Sequence, residues 1–591
     1  MRRLTGVDLD ALPEEKERGI TIALGFTSLE LGEDRRAAFI DVPGHERLVR
    51  TMIAGAGGLD AVLLCVSAVD GAMPQTREHV AILSLLGVER GAIVLTMADL
   101  VDEEMLELAG EDVREAVSGT FLEAAPLIPF SAVTGRGEAD VVEAIRGFTA
   151  TERPDTGPFR LPVDRAFTRQ GFGTVVTGTS LGGRLGDGAL VHLLPSGTTA
   201  RVRGIQSHGD ASEVAAAGRR IALNLAGVDV TEVPRGTVVA DRGLPCTHMV
   251  DGLYRHLAGA PRLKEGDPVR VLSGTAEVLG RVHLATEADH VEGSAEVPIQ
   301  LRLEHPLPCL PGDRFVLRRT SPMETLGGGT LLDPWAPRLR RKDRVSVGRD
   351  LRALADGDRS ILVLRGGERG LSEDAYKARG AEGGVRVGDR WLAPTLLARL
   401  EGVLLQAISD FHLEHPLALG AHRRELRRGR LGHLGERLFD GLVDRLAANR
   451  QVQVDGAMLH VAGYSVVLDD EQAALQTKVG RCVEAAGVGG LTNKRLHEER
   501  PEPEVSALLR LLEAEGSVHS IAGVGWVSQG HLDALRATLV THFDASPELS
   551  PGDFKALTGL TRKAAIPMLE WLDAEKWTRR SGNSRSRGTQ L

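Results

Sequence analysis

Residues 37–45, AAFIDVPGH, place an apolar run directly before an acid, a proline and a glycine. The run has the length and composition of a strand, and Asp41, Pro43 and Gly44 are residue types that end a strand in a turn. The arrangement recurs at AVLLCVSA (61–68), AIVLTM (92–97) and PLIPFSA (126–132), with amphipathic stretches such as TREHVAILSLLGV (76–88) between. Strands alternating with helical patterns predict a parallel sheet with crossover helices, an α/β domain over 1–152. In such a sheet ligands sit beyond the carboxyl ends of the strands. Three polar clusters fall there: DVPGH (41–45), TMAD (96–99) and SAV (131–133).

The chain of 591 residues is too long for one core and predicts about four to six domains. Its 42% hydrophobic and 26% charged residues are ordinary for a globular protein, and no apolar run approaches the roughly 18 residues of a membrane span. Cys65, Cys246, Cys309 and Cys482 lie far apart without a C-x-x-C pair, which argues against a disulfide framework or zinc site and for a reducing cytoplasm. Arg2 and Arg3 are followed by polar and acidic residues, so no secretory signal is read. The net charge of −10 leaves nucleic-acid binding open, because binding depends on where the positive charge sits.

Taken singly, Asp-x-x-Gly is a common turn and His45 an ordinary surface histidine. The ordered set ERGITI (17–22), DVPGH, TMAD and SAV is far more specific. In order and spacing it resembles the nucleotide-contacting motifs of the elongation factor Tu group of translational GTPases. LDALPEEKERGITI (9–22) and GGLDAVLLCVSAVDGAMPQTREH (57–79) most resemble the SelB family, the selenocysteine-specific elongation factors. That resemblance implies a P-loop GTPase domain binding GTP with Mg²⁺. Thr21 would hold the metal, Asp41 would reach it through water, the Gly44 N–H would meet the γ-phosphate, and His45 would align the hydrolytic water. Thr96 and Asp99 would lie at the guanine, with Asp99 accepting its hydrogen bonds, and Ser131 and Ala132 would back the base.

Two departures accompany the match. Met97 replaces the usual lysine before Asp99, which predicts weaker guanine affinity. No Gly-x-x-x-x-Gly-Lys-Ser/Thr segment precedes ERGITI, so a strand and phosphate loop of roughly 20 residues are missing and the domain is expected to be N-terminally incomplete. The chain as written is expected to bind GTP poorly, and a misplaced start or a fragment is the expected cause.

From residue 157 the periodicity changes to short alternating strands broken by glycine, as in RLPVDRAFTRQGFGTVVTGTSLGGRLGDGALVHLL (160–194). Regular turn signals without a long helical pattern predict two β-barrels, 157–243 and 244–335. GFGTVVTGT (171–179) resembles the second-domain signature of the elongation factor Tu group, and SPMETLGGGTLLDP (321–334) resembles SelB. The resemblance implies a pocket for the selenocysteinyl group at Asp164, Arg165 and Arg220. A selenol ionises at neutral pH and a hydroxyl does not, so fixed guanidinium groups favour it over its serine precursor. The bland alternative is a surface Asp–Arg pair worth at most about 1 kcal/mol.

Beyond residue 336 a pattern repeats at roughly 60 to 70 residues. LVDRLAANRQVQVDGAMLHVAG (442–463), LLRLLEAEGSVHSIAGVGWVS (508–528) and MLEWLDAEKWTRRSGNSRSRG (568–588) each run from an apolar helix into two short strands. Leu446, Leu512 and Leu572 are equivalent in that register, and ARGAEGGVRVGDRWLAP (378–394) is a fainter copy. A helix followed by a hairpin predicts a tandem array of winged-helix units at 336–396, 397–468, 469–530 and 531–591. From Arg562 onward seven basic residues face three acidic ones, beside Trp571 and Trp577. Such a patch suits RNA, although half of such tails are only solvated. The family resemblance implies contacts with the selenocysteine insertion hairpin of the messenger RNA at Arg562, Lys563, Arg579 and Arg580. AHRRELRRGR (421–430) is a second basic segment, read first as a solvated helix face.

The combined reading is a cytoplasmic, monomeric GTPase that carries selenocysteinyl-tRNA to the ribosome at UGA codons while its last unit grips the hairpin. The alternative is a GTPase-deficient RNA- and tRNA-binding adaptor derived from the same family. A general elongation factor is disfavoured by the winged-helix array.

Overall fold

A computed structural model of the chain describes residues 1–9, 21–32, 35–44, 48–56, 58–148, 156–171, 173–207 and 209–591. The described chain divides into two compact units, Met1–Arg365 and Gly366–Leu591.

In the first unit, β1 (Gly25–Gly32) and β2 (Arg35–Asp41) form an antiparallel hairpin, followed by α1 (Val49–Ala56). The alternating elements β3 (Val62–Ser67), α2 (Pro74–Leu85), β4 (Gly91–Thr96), α3 (Glu103–Val117), β5 (Leu127–Pro129) and α4 (Glu138–Gly147) then build a parallel sheet in the order β3-β4-β5. The first five residues of β4 are all buried, because a central parallel strand is covered on both faces. α2 starts at Pro74, where a missing N–H costs nothing, and α3 is capped by the Asp102 carboxylate accepting the Met105 N–H at 2.9 Å. Gly91 lets this sheet close up: a Cβ there would lie 2.7 Å from the Val62 carbonyl oxygen. Among the described residues β3 pairs on one side only, and the β1–β2 hairpin is a separate sheet. Leu29, Ala37 and Phe39 of the hairpin pack with Leu63, Val94, Ile128 and Phe130.

Two closed six-stranded barrels follow. The first comprises β6 (Arg160–Arg169), β7 (Gly173–Thr179), β8 (Leu190–Leu194), β9 (Thr198–Ser207), β10 (Arg220–Ala226) and β11 (Val238–Ala240), in the order β9-β10-β7-β6-β11-β8 and back to β9. Strict alternation along β10 turns Ile221, Leu223 and Leu225 inward against Val176, Val191 and Val202. The second comprises β12 (Cys246–His256), β13 (Pro268–Ser273), β14 (Ala276–Leu284), β15 (Glu296–Pro308), β16 (Arg314–Arg319) and β17 (Thr325–Asp333), closed in the order β12-β15-β14-β13-β16-β17. Tyr254 and Phe315 fill its core. Arg160 donates to both carboxylate oxygens of Asp313, at 2.9 and 2.7 Å, and so ties the barrels together. Leu272 and Val316 of the second barrel share a core with α1 and α2.

α5 (Arg344–Ala355) and α6 (Ser360–Arg365) lie on this second barrel. Leu351 of α5 packs with Ala285 and Leu339. Arg365 is buried between Asp251 and Asp333, whose side chains have no exposure, with its Nε 2.9 Å from Asp333. Two buried carboxylates sharing one guanidinium make the pairing geometry indispensable: removing the arginine would leave uncompensated charge costing about 3–5 kcal/mol.

The second unit is the helical array. α7 (Glu373–Arg379) precedes a wing formed by Val385–Val387 and Arg390–Leu392. α8 (Pro394–Glu414), α9 (Arg423–Arg428) and α10 (Glu436–Ala448) lead to a wing at Val452–Asp455 and Met458–Val461. α11 (Asp470–Ala485), α12 (Asn493–Glu499) and α13 (Val505–Ala514) lead to Val518–Ile521 and Gly525–Ser528. α14 (Gln529–Ala545), α15 (Pro551–Thr558) and α16 (Arg562–Ala574) lead to Thr578–Ser581 and Ser584–Arg587. Leu446 and Leu572 are fully buried under their wings and Leu512 is half-buried. One core runs from Val387 to Leu459, and another from Ile521 to Leu572.

Candidate functional site

The nucleotide-type residues fall into two groups. At the end of β2, the Thr21 Oγ1 donates to an Asp41 carboxylate oxygen at 3.3 Å. Gly44 is exposed just beyond it, with open space where a Cβ would be. His45 lies outside the described residues. The second group sits where β4 and β5 end side by side, joined by the Ala98 N–H donating to the Phe130 carbonyl at 3.2 Å. Thr96 Oγ1 is turned back to the Val66 carbonyl at 3.2 Å. Asp99 is exposed and forms no ion pair among the described residues. Ser131 is buried, its Oγ accepting the N–H groups of Val133 and Thr134, which holds the loop carrying exposed Ala132. Met97 adopts φ 60° and lies half-exposed between these ends, its sulfur 3.8 Å from the Ser67 hydroxyl. The left-handed backbone is uncommon for a non-glycine residue and turns the chain sharply between Thr96 and Asp99.

Asp164, Arg165 and Arg220 are brought together on the first barrel. The register between β6 and β7 slips between Val163 and Arg165, and this bulge re-aims Asp164 and Arg165. Arg220 makes a fork with Asp164, one arm at 2.9 Å, and donates to the Thr177 Oγ1 at 3.0 Å, while Thr177 donates to Asp164 at 2.8 Å. Side-chain exposures of 17% for Arg220 and 6% for Asp164 remove this pair from the class of surface ion pairs. Arg165 is exposed, carries no carboxylate partner among the described residues, and donates to the Leu24 carbonyl. The cluster therefore keeps one net positive charge.

Sequence reasoning missed Phe26. Its ring stands 3.6 Å from the Arg220 guanidinium carbon and 5.5 Å from that of Arg165, so an aromatic face from the β1–β2 hairpin covers the barrel's cations. The signal was present: Phe26 follows Thr21 by five residues, in GITIALGF. Phe26 on β1 pairs with Ile40 on β2, one residue before the Asp41 that meets Thr21. Thr177, inside GFGTVVTGT, is the other missed residue.

In the last winged helix, Arg562 and Lys563 stand in the first turn of α16, and Arg579 and Arg580 in the wing. All four are exposed and none forms an ion pair among the described residues. Lys576 joins them, exposed at φ 60° before the wing. The remaining arginines are structural: Arg585 is buried on Asp573 at 3.0 Å, and Arg587 meets Asp544 at 2.9 Å. Trp571 and Trp577 meet edge to face at 5.6 Å against the core, with Arg536 5.3 Å from the Trp577 ring. They support the patch from behind. In the 421–430 segment the arginines are mostly paired: Arg423 with Asp440 at 3.0 Å, Arg427 with Glu436 at 3.1 Å and Arg430 with Asp410 at 3.9 Å.

Comparison with known proteins agrees with this layout. Residues 2–151 match the elongation factor Tu GTP binding domain, and 251–338 the beta-barrel domain of selenocysteine-specific elongation factors. Residues 405–461 and 541–587 each match a winged helix of elongation factor SelB. The chain is 37% identical to a selenocysteine-specific elongation factor of Desulfomicrobium baculatum, over 99% of this chain and 96% of that protein. It is 31% identical to one of Escherichia coli strain K12, over 99% and 95%. The crystal structure of bacterial selenocysteine-specific elongation factor EF-Sec superimposes with a TM-score of 0.69 at 27% identity, covering 99% of this chain and 96% of that one.

Proposed function

The chain belongs to the selenocysteine-specific elongation factors, and on that footing we propose that it carries selenocysteinyl-tRNA to the ribosome at UGA codons under the control of GTP, in the cytoplasm and as a monomer. Its GTPase domain makes it a guanine-nucleotide-binding protein. Among the described residues no helix is long and apolar enough to cross a membrane.

Thr21 and Asp41 offer a hydroxyl and a carboxylate oxygen 3.3 Å apart, hard donors that suit Mg²⁺. When bound, the metal would neutralise charge on the phosphate oxygens. Asp99 receives the guanine N–H groups, Thr96, Ser131 and Ala132 frame the base, the Gly44 N–H meets the terminal phosphate, and His45 aligns the attacking water. Arg562, Lys563, Arg579 and Arg580 hold the backbone of the messenger-RNA hairpin.

The observation that carries the substrate assignment is the charge of the barrel cluster. Asp164 and Thr177 lock Arg220 under the Phe26 ring and leave Arg165 as the net cation. A selenolate meets that cation without needing a proton, whereas a serine hydroxyl stays neutral and gains only an ordinary hydrogen bond. Competition binding of selenocysteinyl-tRNA against seryl-tRNA tests this. The selenocysteinyl form is expected to win by at least about tenfold, and Arg165→Ala to remove most of that preference. Equal affinity in the unsubstituted protein would sink the assignment.

A further inference from the structure

The outer face of α16 carries more than phosphate-binding charge. Arg562, Lys563, Ile566 and Glu570 follow one another at spacings of one, three and four residues, which sets them in one stripe along the helix. All four are exposed, Ile566 at 44%. Ala565, Met568, Leu569 and Leu572 bury the opposite side in the core. The stripe therefore begins with two cations, continues with a bare aliphatic side chain and ends with a carboxylate.

An acid at that place is out of keeping with a surface that binds phosphates alone. Glu570 forms no ion pair among the described residues. The other two acids of the segment are set apart from the stripe. Asp573 is held by Arg585 at 3.0 Å and by the Thr578 hydroxyl at 2.6 Å. Glu575 comes five residues after Glu570 and so points about 140° away from it around the helix axis.

The cations supply affinity for the RNA backbone, and a carboxylate in their midst lowers it, because its charge repels every nearby phosphate whatever the sequence. That repulsion is offset only where Glu570 meets hydrogen-bond donors. Ionised phosphates have none, whereas bases present amino groups, and a carboxylate is an acceptor only. In a double-helical stem the deep, narrow major groove keeps base edges from side chains, so the donors must belong to an unpaired base. Ile566, one turn before Glu570, offers an apolar surface on which such a base can rest.

We propose that Ile566 and Glu570 form a base-reading subsite in the last winged helix: Ile566 supports one unpaired base of the messenger-RNA hairpin, and Glu570 accepts hydrogen bonds from that base's exocyclic amino group. Phosphate contacts position an RNA and base contacts specify it, so the subsite adds discrimination between loop sequences to the grip supplied by Arg562 and Lys563. The inference rests on the hairpin-binding function proposed above.

The test compares the full chain with Glu570→Ala, measuring affinity for the insertion hairpin and for a plain RNA duplex over a salt series. Glu570→Ala should bind the hairpin about 5- to 30-fold more weakly although it has lost a negative charge, and the duplex about two- to threefold more tightly. The log–log salt slope for the hairpin should stay within about 0.5 of its original value, because no phosphate contact is removed. Glu570→Gln, which keeps one acceptor oxygen, should fall between, and serves if the alanine variant folds poorly. Replacing the unpaired nucleotides of the hairpin one at a time by uridine, which has no exocyclic amino group, should locate the base that is read. At that position the unsubstituted chain loses affinity and Glu570→Ala loses no more. Tighter hairpin binding by Glu570→Ala, as charge repulsion alone requires, overturns the subsite. So does a loss that no single base replacement reproduces, which marks a contact with a 2′-hydroxyl. Either result leaves hairpin binding standing. Absence of any preference for the hairpin over the duplex in the unsubstituted chain refutes that function, and the subsite with it.

Discussion

The second and fourth winged helices present similar sequences of positive charge and opposite surfaces. In the second, Asp440 and Glu436 of α10 reach back to Arg423 and Arg427 of α9. One side of α10, the helix that enters a groove in a DNA-reading winged helix, packs closely on the preceding wing, where a Cβ on Gly441 would lie 2.6 Å from the Gly388 nitrogen, while Glu436 and Arg437 at its start stay exposed. In the fourth, α16 begins with Arg562 and Lys563 facing solvent; of its two acids Asp573 is turned inward to Arg585, and Glu570, exposed, forms no ion pair among the described residues. Counting basic residues therefore does not find a nucleic-acid surface. What finds it is whether the domain's own carboxylates already answer the charge and whether the groove-facing helix is free.

The widest gap between the two units should appear in hairpin binding. Replacing Arg562, Lys563, Arg579 and Arg580 with glutamine is expected to weaken the hairpin complex about 10²- to 10³-fold, at roughly 1 kcal/mol for each lost phosphate contact. The matching change of Arg423, Arg424, Arg427 and Arg428 is expected to cost less than about threefold, since two of the four are already paired internally. Comparable losses in the two variants, measured by filter binding at one salt concentration, would break the comparison.

Stability should separate the units next. Asp573 holds the Arg585 guanidinium, whose side chain is 7% exposed, and accepts the Thr578 hydroxyl at 2.6 Å. Asp573→Asn strands a buried cation and is expected to destabilise the fourth unit by about 2–4 kcal/mol in denaturant unfolding. Asp440→Asn breaks a pair whose members are 31% and 39% exposed and should cost less than about 1 kcal/mol.

Legibility in the sequence followed the same division. Periodicity gave the parallel sheet, both barrels and the winged repeats, because each buries a face whose spacing is local. The ordered motifs placed Thr21 beside Asp41 and Asp99 beside Ser131 for the same reason: strand ends are set by their own residues. Phe26 and Thr177 escaped because their roles arise across elements, one over a domain junction and one through a bulge. Trp571 and Trp577, which the sequence puts beside the basic patch, are partly buried and pack on the core of the fourth winged helix.

The second winged helix also contains a buried titrating group. His412 is buried at 7% exposure, stacked on Tyr464 with ring centroids 3.6 Å apart, and both of its ring nitrogens lack hydrogen-bond partners among the described residues. Burial, then the charge of nearby His460, lowers its pKa below the ordinary imidazole value. Below that ordinary value the unfolded chain binds a proton that the folded chain refuses, so stability is fully present above it and falls as pH drops. Thermal unfolding of the full chain followed between neutral and mildly acidic pH should show a transition moving down, and His412→Phe should flatten that movement. A slope unaffected by His412→Phe would place the titration elsewhere.

The smallest effect bears most directly on why the second unit is quiet. If its arginines are silent only because they are answered from α10, then removing the answering charge should make them speak. Glu436→Gln with Asp440→Asn leaves Arg423, Arg424, Arg427 and Arg428 unopposed without altering the helix that carries them. The preceding wing, packed on α10 at Gly441, still hinders groove entry, so only backbone phosphates gain. Affinity for a short RNA duplex should rise about two- to threefold, with a salt slope steeper by about 1 to 2 and no change in hairpin preference. A gain in hairpin preference would mean that pairing, and not occlusion by the neighbouring wing, is what separates the two units. No gain at all would mean that occlusion alone suffices.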